Sequence, residues 1–155
     1  MNTATTWQTN STSSEQTEQL GQRLGKALKG GEVIELASDL GGGKTTFVRG
    51  LARGAGSTDK VSSPTFTISK VYRAGSFHIH HFDFYRLGEA GIIGDELAEE
   101  MGSPGNIVVV EWANVVEHML PYDRLTITFE QTTEGHRRLT FSCPVSLQYL
   151  LEAVK

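Results

Sequence analysis

Ser38-Asp39-Leu40-Gly41-Gly42-Gly43-Lys44-Thr45-Thr46 ends in the Gly-Lys-Thr of a phosphate-binding loop. The full pattern is G-x-x-x-x-G-K-[ST], and the chain departs from it at one position, where Ser38 stands in place of the first glycine. Glycines at 41 to 43 let successive backbone N–H groups turn inward toward phosphate oxygens with no Cβ in the way. Lys44 supplies a point charge for the β- and γ-phosphates, and Thr45 offers a hydroxyl to Mg²⁺. A helix beginning here aims its partial positive charge at the same anion. A plain glycine-rich turn is the alternative, and the flanks decide against it. Residues 32–37 (EVIELA) read as a strand, whereas Phe47, Val48, Leu51, Ala52 and Ala55 recur at helical spacing. Strand, glycine loop, Lys-Thr and helix is the context the motif requires.

With 155 residues, 38% of them hydrophobic, the chain has the size and apolar content of one globular domain. Its formal charge of -4 argues against independent binding of a nucleic-acid backbone, which calls for a concentrated basic surface. Any connection to RNA is therefore expected to be indirect. The single cysteine, Cys143, excludes an internal disulfide and a cysteine-built zinc site; within the strand-like run 139–143 it reads as a half-buried structural thiol. No stretch approaches the ~18 apolar residues of a membrane span. The polar start lacks the charged and apolar regions of a signal peptide, so a cytoplasmic protein is expected.

Residues 1–13, rich in Thr, Ser and Asn, read as a flexible leader, and the P-loop domain is expected over 14–155. Leu20, Leu24, Ala27 and Leu28 mark a helix that Gly30-Gly31 ends. Beyond the P-loop helix, 65–72 and 77–84 alternate as a hairpin, 95–101 is helical, and 106–111 (NIVVVE) suits a strand buried on both faces. A short helix over 113–119, a second hairpin (125–130 with 137–142) and a closing helix over 146–154 complete the pattern. It predicts a single α/β, P-loop NTPase-like domain with a mixed β-sheet flanked by helices.

A phosphate-bound Mg²⁺ takes one or two protein oxygens, so a carboxylate should end a neighbouring strand. Glu111, after four branched apolar residues, occupies the place of a Walker B acid, although aspartate is usual there; a solvent-facing strand end is the alternative. Asp83 is the second candidate. Period-two alternation puts His81, Asp83 and Tyr85 on one strand face, where the carboxylate could hold a Mg²⁺-bound water, orient the attacking water, or pair with Arg86 or a histidine. His78, His80 and His81 read as packing or surface histidines rather than a zinc cluster. The loop 62–67 (SSPTFT) has the hydroxyls of a γ-phosphate sensor, and Trp112 either stacks at the site or packs in the core.

Asp39-Leu-Gly-Gly-Gly-Lys-Thr-Thr-Phe47, Ser63-Pro-Thr-Phe66, His81-Phe-Asp-Phe-Tyr-Arg-Leu87 and Val110-Glu-Trp112 together resemble the bacterial TsaE family. The likeness runs from about residue 14 to 125. It implies a small ATPase of tRNA threonylcarbamoyladenosine biosynthesis that binds ATP and Mg²⁺, hydrolyses slowly alone and works with TsaD and TsaB, meeting tRNA through that complex. On the matching positions it implies that Gly41, Gly42, Gly43, Lys44, Thr45 and Thr46 hold phosphates. Thr45, Glu111 and Asp83 would serve the metal, with Lys44, Asp83 and Glu111 as catalytic groups. Thr65 would belong to a nucleotide-sensing loop, with Trp112 beside the site. Two other readings stay open: a module whose bound ATP controls docking without hydrolysis, and a small-molecule kinase, which the scattered arginines disfavour. No N-K-x-D guanine-reading motif is present.

Overall fold

The computed structural model describes residues 4–38, 43–64, 68–85, 87–133 and 135–155. Among them a seven-stranded sheet has the order β1-β7-β6-β2-β5-β4-β3. Its centre is parallel: β2 (Val33–Ala37) lies between β5 (Asn106–Glu111) and β6 (Leu125–Gln131), and β4 (Phe77–Asp83) pairs with β5. β3 (Ser69–Ala74), β7 (Arg137–Cys143) and β1 (Thr5–Ser11) add antiparallel margins. The expected mixed sheet with flanking helices is the observed one.

Strand alternation divides the core between the two faces of the sheet. In β5, Ile107 and Val109 join one cluster while Val108 and Val110 join the other, so this strand is buried on both sides. The first cluster receives α1 (Ser14–Ala27), α2 (Lys44–Gly54) and α4 (Gln148–Val154); the second receives α3 (Gly91–Glu100) and two 3-10 turns. Odd-numbered positions of β4 and β5 therefore face α1 and α2. That alternation directs His81, Asp83 and Glu111 toward the α2 side of the sheet.

The flexible leader expected over 1–13 is corrected: Thr5–Ser11 forms an edge strand paired along its length with β7. Its composition is polar, but Thr5, Trp7, Thr9 and Ser11 alternate inward, and Trp7 packs on Phe141 with ring centroids 5.5 Å apart. The strand runs directly into the cap of α1. Ser13 accepts a hydrogen bond from the Gln16 amide, and Gln16 Oε1 accepts one from the Thr12 amide, satisfying donors at the helix start.

Smaller differences have local causes. α3 begins one turn before the expected 95–101, in a Gly-Ile-Ile-Gly run of low helical propensity. The helix expected over 113–119 is two 3-10 turns, Ala113–Val115 and Glu117–Met119, interrupted at Val116. Cys143 is buried, and burial pushes its thiol pKa up, away from the reactive thiolate.

Four helix glycines bring α1 and α2 into backbone contact. A Cβ on Gly21 or Gly25 would stand 2.2 Å from the Phe47 carbonyl oxygen or 2.1 Å from that of Leu51. Reciprocally, one on Gly50 or Gly54 would stand 2.0 Å from the Glu18 oxygen or 2.1 Å from that of Gln22. A glycine inside a helix, as Gly21 and Gly50 are, forgoes about 1 kcal/mol of helix propensity relative to alanine, and the close approach offsets it. Gly50→Ala should therefore lose about 3 kcal/mol in denaturant unfolding despite its better propensity, because the obstacle is main chain that cannot rotate away. Gly105→Ala, with open space around its Cβ position, should stay within about 0.5 kcal/mol of wild type.

Candidate functional site

Lys44 is the first residue of α2, and Gly43 caps that helix at φ +94°. Glycine brings no side chain to cap the first turn, and that turn carries no acidic residue. The helix end thus presents amide hydrogens and partial positive charge, including those at Thr45 and Thr46. Residues 39–42, with Gly41 and Gly42 among them, lie outside the described residues, as do Thr65 and Arg86.

The parallel register sets the carboxylates. Asp83 is the Cα partner of Glu111, and Glu111 is the partner of Leu36, so Glu111 ends the strand beside β2, which leads to α2, and Asp83 ends the next strand out. This is the carboxyl edge of a parallel sheet, where α/β folds place their ligands. Lys44 Nζ lies 3.4 Å from Glu111 Oε1, 3.4 Å from the Ser38 carbonyl oxygen and 4.8 Å from the centroid of the Trp112 ring. Lys44, Asp83 and Glu111 are 6%, 3% and 3% exposed, too enclosed to be read as a solvated charge cluster. Asp83 Oδ1 accepts a hydrogen bond from the Tyr85 amide at 2.9 Å, and the Asp83 amide donates to the Ile68 carbonyl at 2.8 Å.

Sequence reasoning missed the histidine behind Glu111. His81 is fully buried, with Nε2 2.5 Å from Glu111 Oε2. Its place on the Asp83 face was legible, but the partner stands thirty residues away on another strand. Burial by itself would raise the Glu111 pKa; the hydrogen bond from His81 and the charge of Lys44 oppose it, and the net shift is downward. His80, on the opposite face, meets Asn106 and Glu100 instead, and no metal-type cluster of three His, Cys, Asp or Glu occurs among the described residues.

Two non-glycine residues with left-handed backbone flank these acids: Trp112 at φ 56° and Ile68 at φ 71°. The turn at Trp112 redirects the chain immediately after Glu111 and brings its ring 4.8 Å from that of Tyr85 as well as over Lys44. Trp112 thus lies beside Lys44 and Tyr85 while also packing against the second core cluster. Side chains held in such backbone cost about 1–2 kcal/mol each and concentrate where geometry serves function. The donors present, a threonine hydroxyl at the helix start and strand-end carboxylates, are hard oxygens that suit Mg²⁺ held mainly by phosphate and water.

The model of the family described as threonylcarbamoyl adenosine biosynthesis protein TsaE matches residues 11–139. A protein of Bacillus subtilis named tRNA threonylcarbamoyladenosine biosynthesis protein TsaE is 39% identical over 130 residues, spanning 83% of this chain and 80% of its own. One of the same name from Treponema pallidum is 36% identical, spanning 84% of this chain and 96% of its own. The crystal structure of Bacillus subtilis YdiB superposes with a TM-score of 0.78 at 34% identity, covering 99% of this chain and 95% of that one.

The depressed Glu111 pKa makes stability depend on pH. An unfolded glutamate titrates near about 4.3; a folded value below it means that the carboxylate's contribution is complete above that pH and is lost as pH falls through the folded value. In metal-free buffer, Glu111→Gln should cost about 3 kcal/mol at pH 7, since it leaves Lys44 and His81 without their anion. The gap from wild type should narrow as the pH is lowered below the carboxylate range, as followed by urea unfolding at successive pH values.

Proposed function

Because the chain belongs to the threonylcarbamoyl adenosine biosynthesis protein TsaE family, we propose that it is a Mg²⁺-dependent ATPase serving formation of threonylcarbamoyladenosine in tRNA. The observation that carries this reading is the convergence of the P-loop lysine with two buried strand-end carboxylates. Lys44 and the amides of residues 41–46 would bind the phosphate oxygens, and Thr45, Glu111 and Asp83 would hold the metal. Mg²⁺ bound to the β- and γ-phosphates would supply charge neutralisation for the leaving and transferring oxygens. Asp83 would orient water for in-line attack on the γ-phosphate, and the ring of Trp112 would shield one side of the site.

The net charge of -4 supports an indirect encounter with tRNA, and we place the protein's work in a cytoplasmic complex with TsaD and TsaB. Among the described residues no helix is long and apolar enough to cross a membrane. Turnover is slow alone and stimulated by these partners, so its assay is phosphate release with and without TsaD, TsaB and tRNA. Lys44→Ala should weaken Mg²⁺-ATP binding and lower turnover about 100-fold, the scale of losing one preorganised charge in a dry site. Unchanged binding and turnover in that variant would falsify the proposal.

A docking module that acts through bound ATP alone remains the competing reading, favoured by Tyr85, which is 43% exposed beside Trp112. Asp83→Ala separates the two. An ATPase should retain nucleotide binding but lose turnover about 100-fold and, with it, tRNA modification; a pure binding switch should keep modifying tRNA.

A further inference from the structure

Behind Glu111 runs a buried line of contacts for which the phosphate chemistry has no direct use. His81 is fully enclosed and Tyr72 is 2% exposed. The Tyr72 hydroxyl donates to the Ser62 carbonyl oxygen at 3.0 Å and lies 3.4 Å from His81 Nδ1; His81 Nε2 meets Glu111 Oε2 at 2.5 Å. Register explains the reach: Lys70 of β3 is the Cα partner of His81, so Tyr72, two residues on, is its diagonal neighbour on the same face. Lys70, also on that face, holds Ser62 through its hydroxyl.

We propose that His81 and Tyr72 are positioning residues that hold the Glu111 carboxylate and tie its placement to the Ser62 main chain. A carboxylate only accepts, so Nε2 must donate to Glu111. Tyr72 has one hydroxyl hydrogen and two acceptors within reach, Ser62 O and His81 Nδ1. While Ser62 stays in place its carbonyl, the nearer acceptor, takes the larger share of that hydrogen and Nδ1 the smaller. When Ser62 withdraws, the hydrogen is left to Nδ1, which strengthens Nε2–H as a donor because linked hydrogen bonds polarise one another. A displacement at Ser62 is thereby felt at Glu111 Oε2 through two side chains. Ser62 lies three residues before Thr65, so the line joins the segment leading into the expected sensing loop to the expected metal-binding acid.

The inference rests on the nucleotide chemistry proposed above, and one experiment tests both separately. In a Trp7→Phe background Trp112 is the remaining tryptophan of the two in the chain. Its emission then reports ATP titrated into the full chain, with Mg²⁺ or with EDTA. His81→Leu removes the donor to Glu111, His81→Gln returns an N–H near the Nε2 position, and Tyr72→Phe removes only the hydroxyl. Affinity for ATP in EDTA should agree within about twofold across all variants, while the affinity gained from Mg²⁺ should fall about tenfold in His81→Leu, the scale of losing a partner behind a metal ligand. His81→Gln should recover most of that gain, and Tyr72→Phe should lose part of it. In the nucleotide-free protein, Tyr72→Phe should also shift the ring ¹⁵N resonances of His81, which a purely packing role for the hydroxyl would leave in place.

A wild-type chain that binds no Mg²⁺-ATP overturns the nucleotide reading and this inference together. A wild type that binds, with variants that keep the full Mg²⁺ gain or with His81→Gln as impaired as His81→Leu, overturns the positioning role alone. Should His81→Leu fail to fold, Tyr72→Phe against wild type decides: unchanged Mg²⁺ gain and unchanged His81 resonances sink the proposal.

Discussion

The main-chain contact between α1 and α2 is the constraint on which the site depends. Gly21 and Gly25 face the carbonyls of α2, and Gly50 and Gly54 face those of α1, so the axes cannot approach further or be held apart by side chains. Such contact favours Cα–H···O interactions and leaves the helices few ways to slide. α2 also seats Phe47, Val48 and Leu51 in the core beneath it. With its flank and underside fixed, α2 starts at a set point over the strand ends, within reach of which Lys44 places its ammonium group. That place is beside Glu111.

The buried charges are poorly explained as stabilising devices. Removing ions from water costs several kcal/mol apiece, and a buried pair often does no better than apolar side chains of the same volume. β5 shows the apolar solution over four consecutive residues, Ile107 to Val110, and abandons it at Glu111. The carboxylate is tolerated because His81 and Lys44 each engage one of its oxygens, enough to draw its pKa down against the opposing effect of burial. Trp112 adds a second cost by adopting left-handed backbone at the next position. Two adjacent departures from the stable solution, facing a helix start free of acidic residues, fit the functional reading better than a purely structural one.

What the sequence made legible was whatever is encoded locally. β5 was readable to its ends because a branched apolar run is bounded by Gly102-Ser-Pro-Gly105 on one side and a carboxylate on the other. The P-loop helix was readable because a motif and a 3.6-residue period agree. β1 was hidden because its composition is that of a loop; its inward alternation gains meaning only when β7 pairs with it and Phe141 receives Trp7. The first turn of α3 was hidden by its glycines. The positions of Asp83 and Glu111 at strand ends followed from pattern, but their register did not. His81 and Tyr72 were beyond sequence reasoning for a stronger reason: their roles arise from diagonal and cross-strand contacts among β3, β4 and β5, which no local period specifies.

The two oxygens of Glu111 do different work in this fold. Oε2 is held by His81 in the interior, and Oε1 meets Lys44. An anion arriving at the start of α2 would compete for Lys44 with Glu111, the Ser38 carbonyl and the face of Trp112. The lysine is already largely desolvated, so the newcomer replaces one set of contacts rather than stripping a hydrated ammonium. Its net gain is correspondingly smaller than the bare attraction between lysine and phosphate, since uniform binding energy is spent on breaking the resting pair. In exchange Oε1 would be released while Oε2 stayed held by His81, so the carboxylate would change partner without losing its position. On the proposed function, the ion pair and a nucleotide-bound state would be two arrangements of one acid, with His81 placed to hold it in both without a movement of β5.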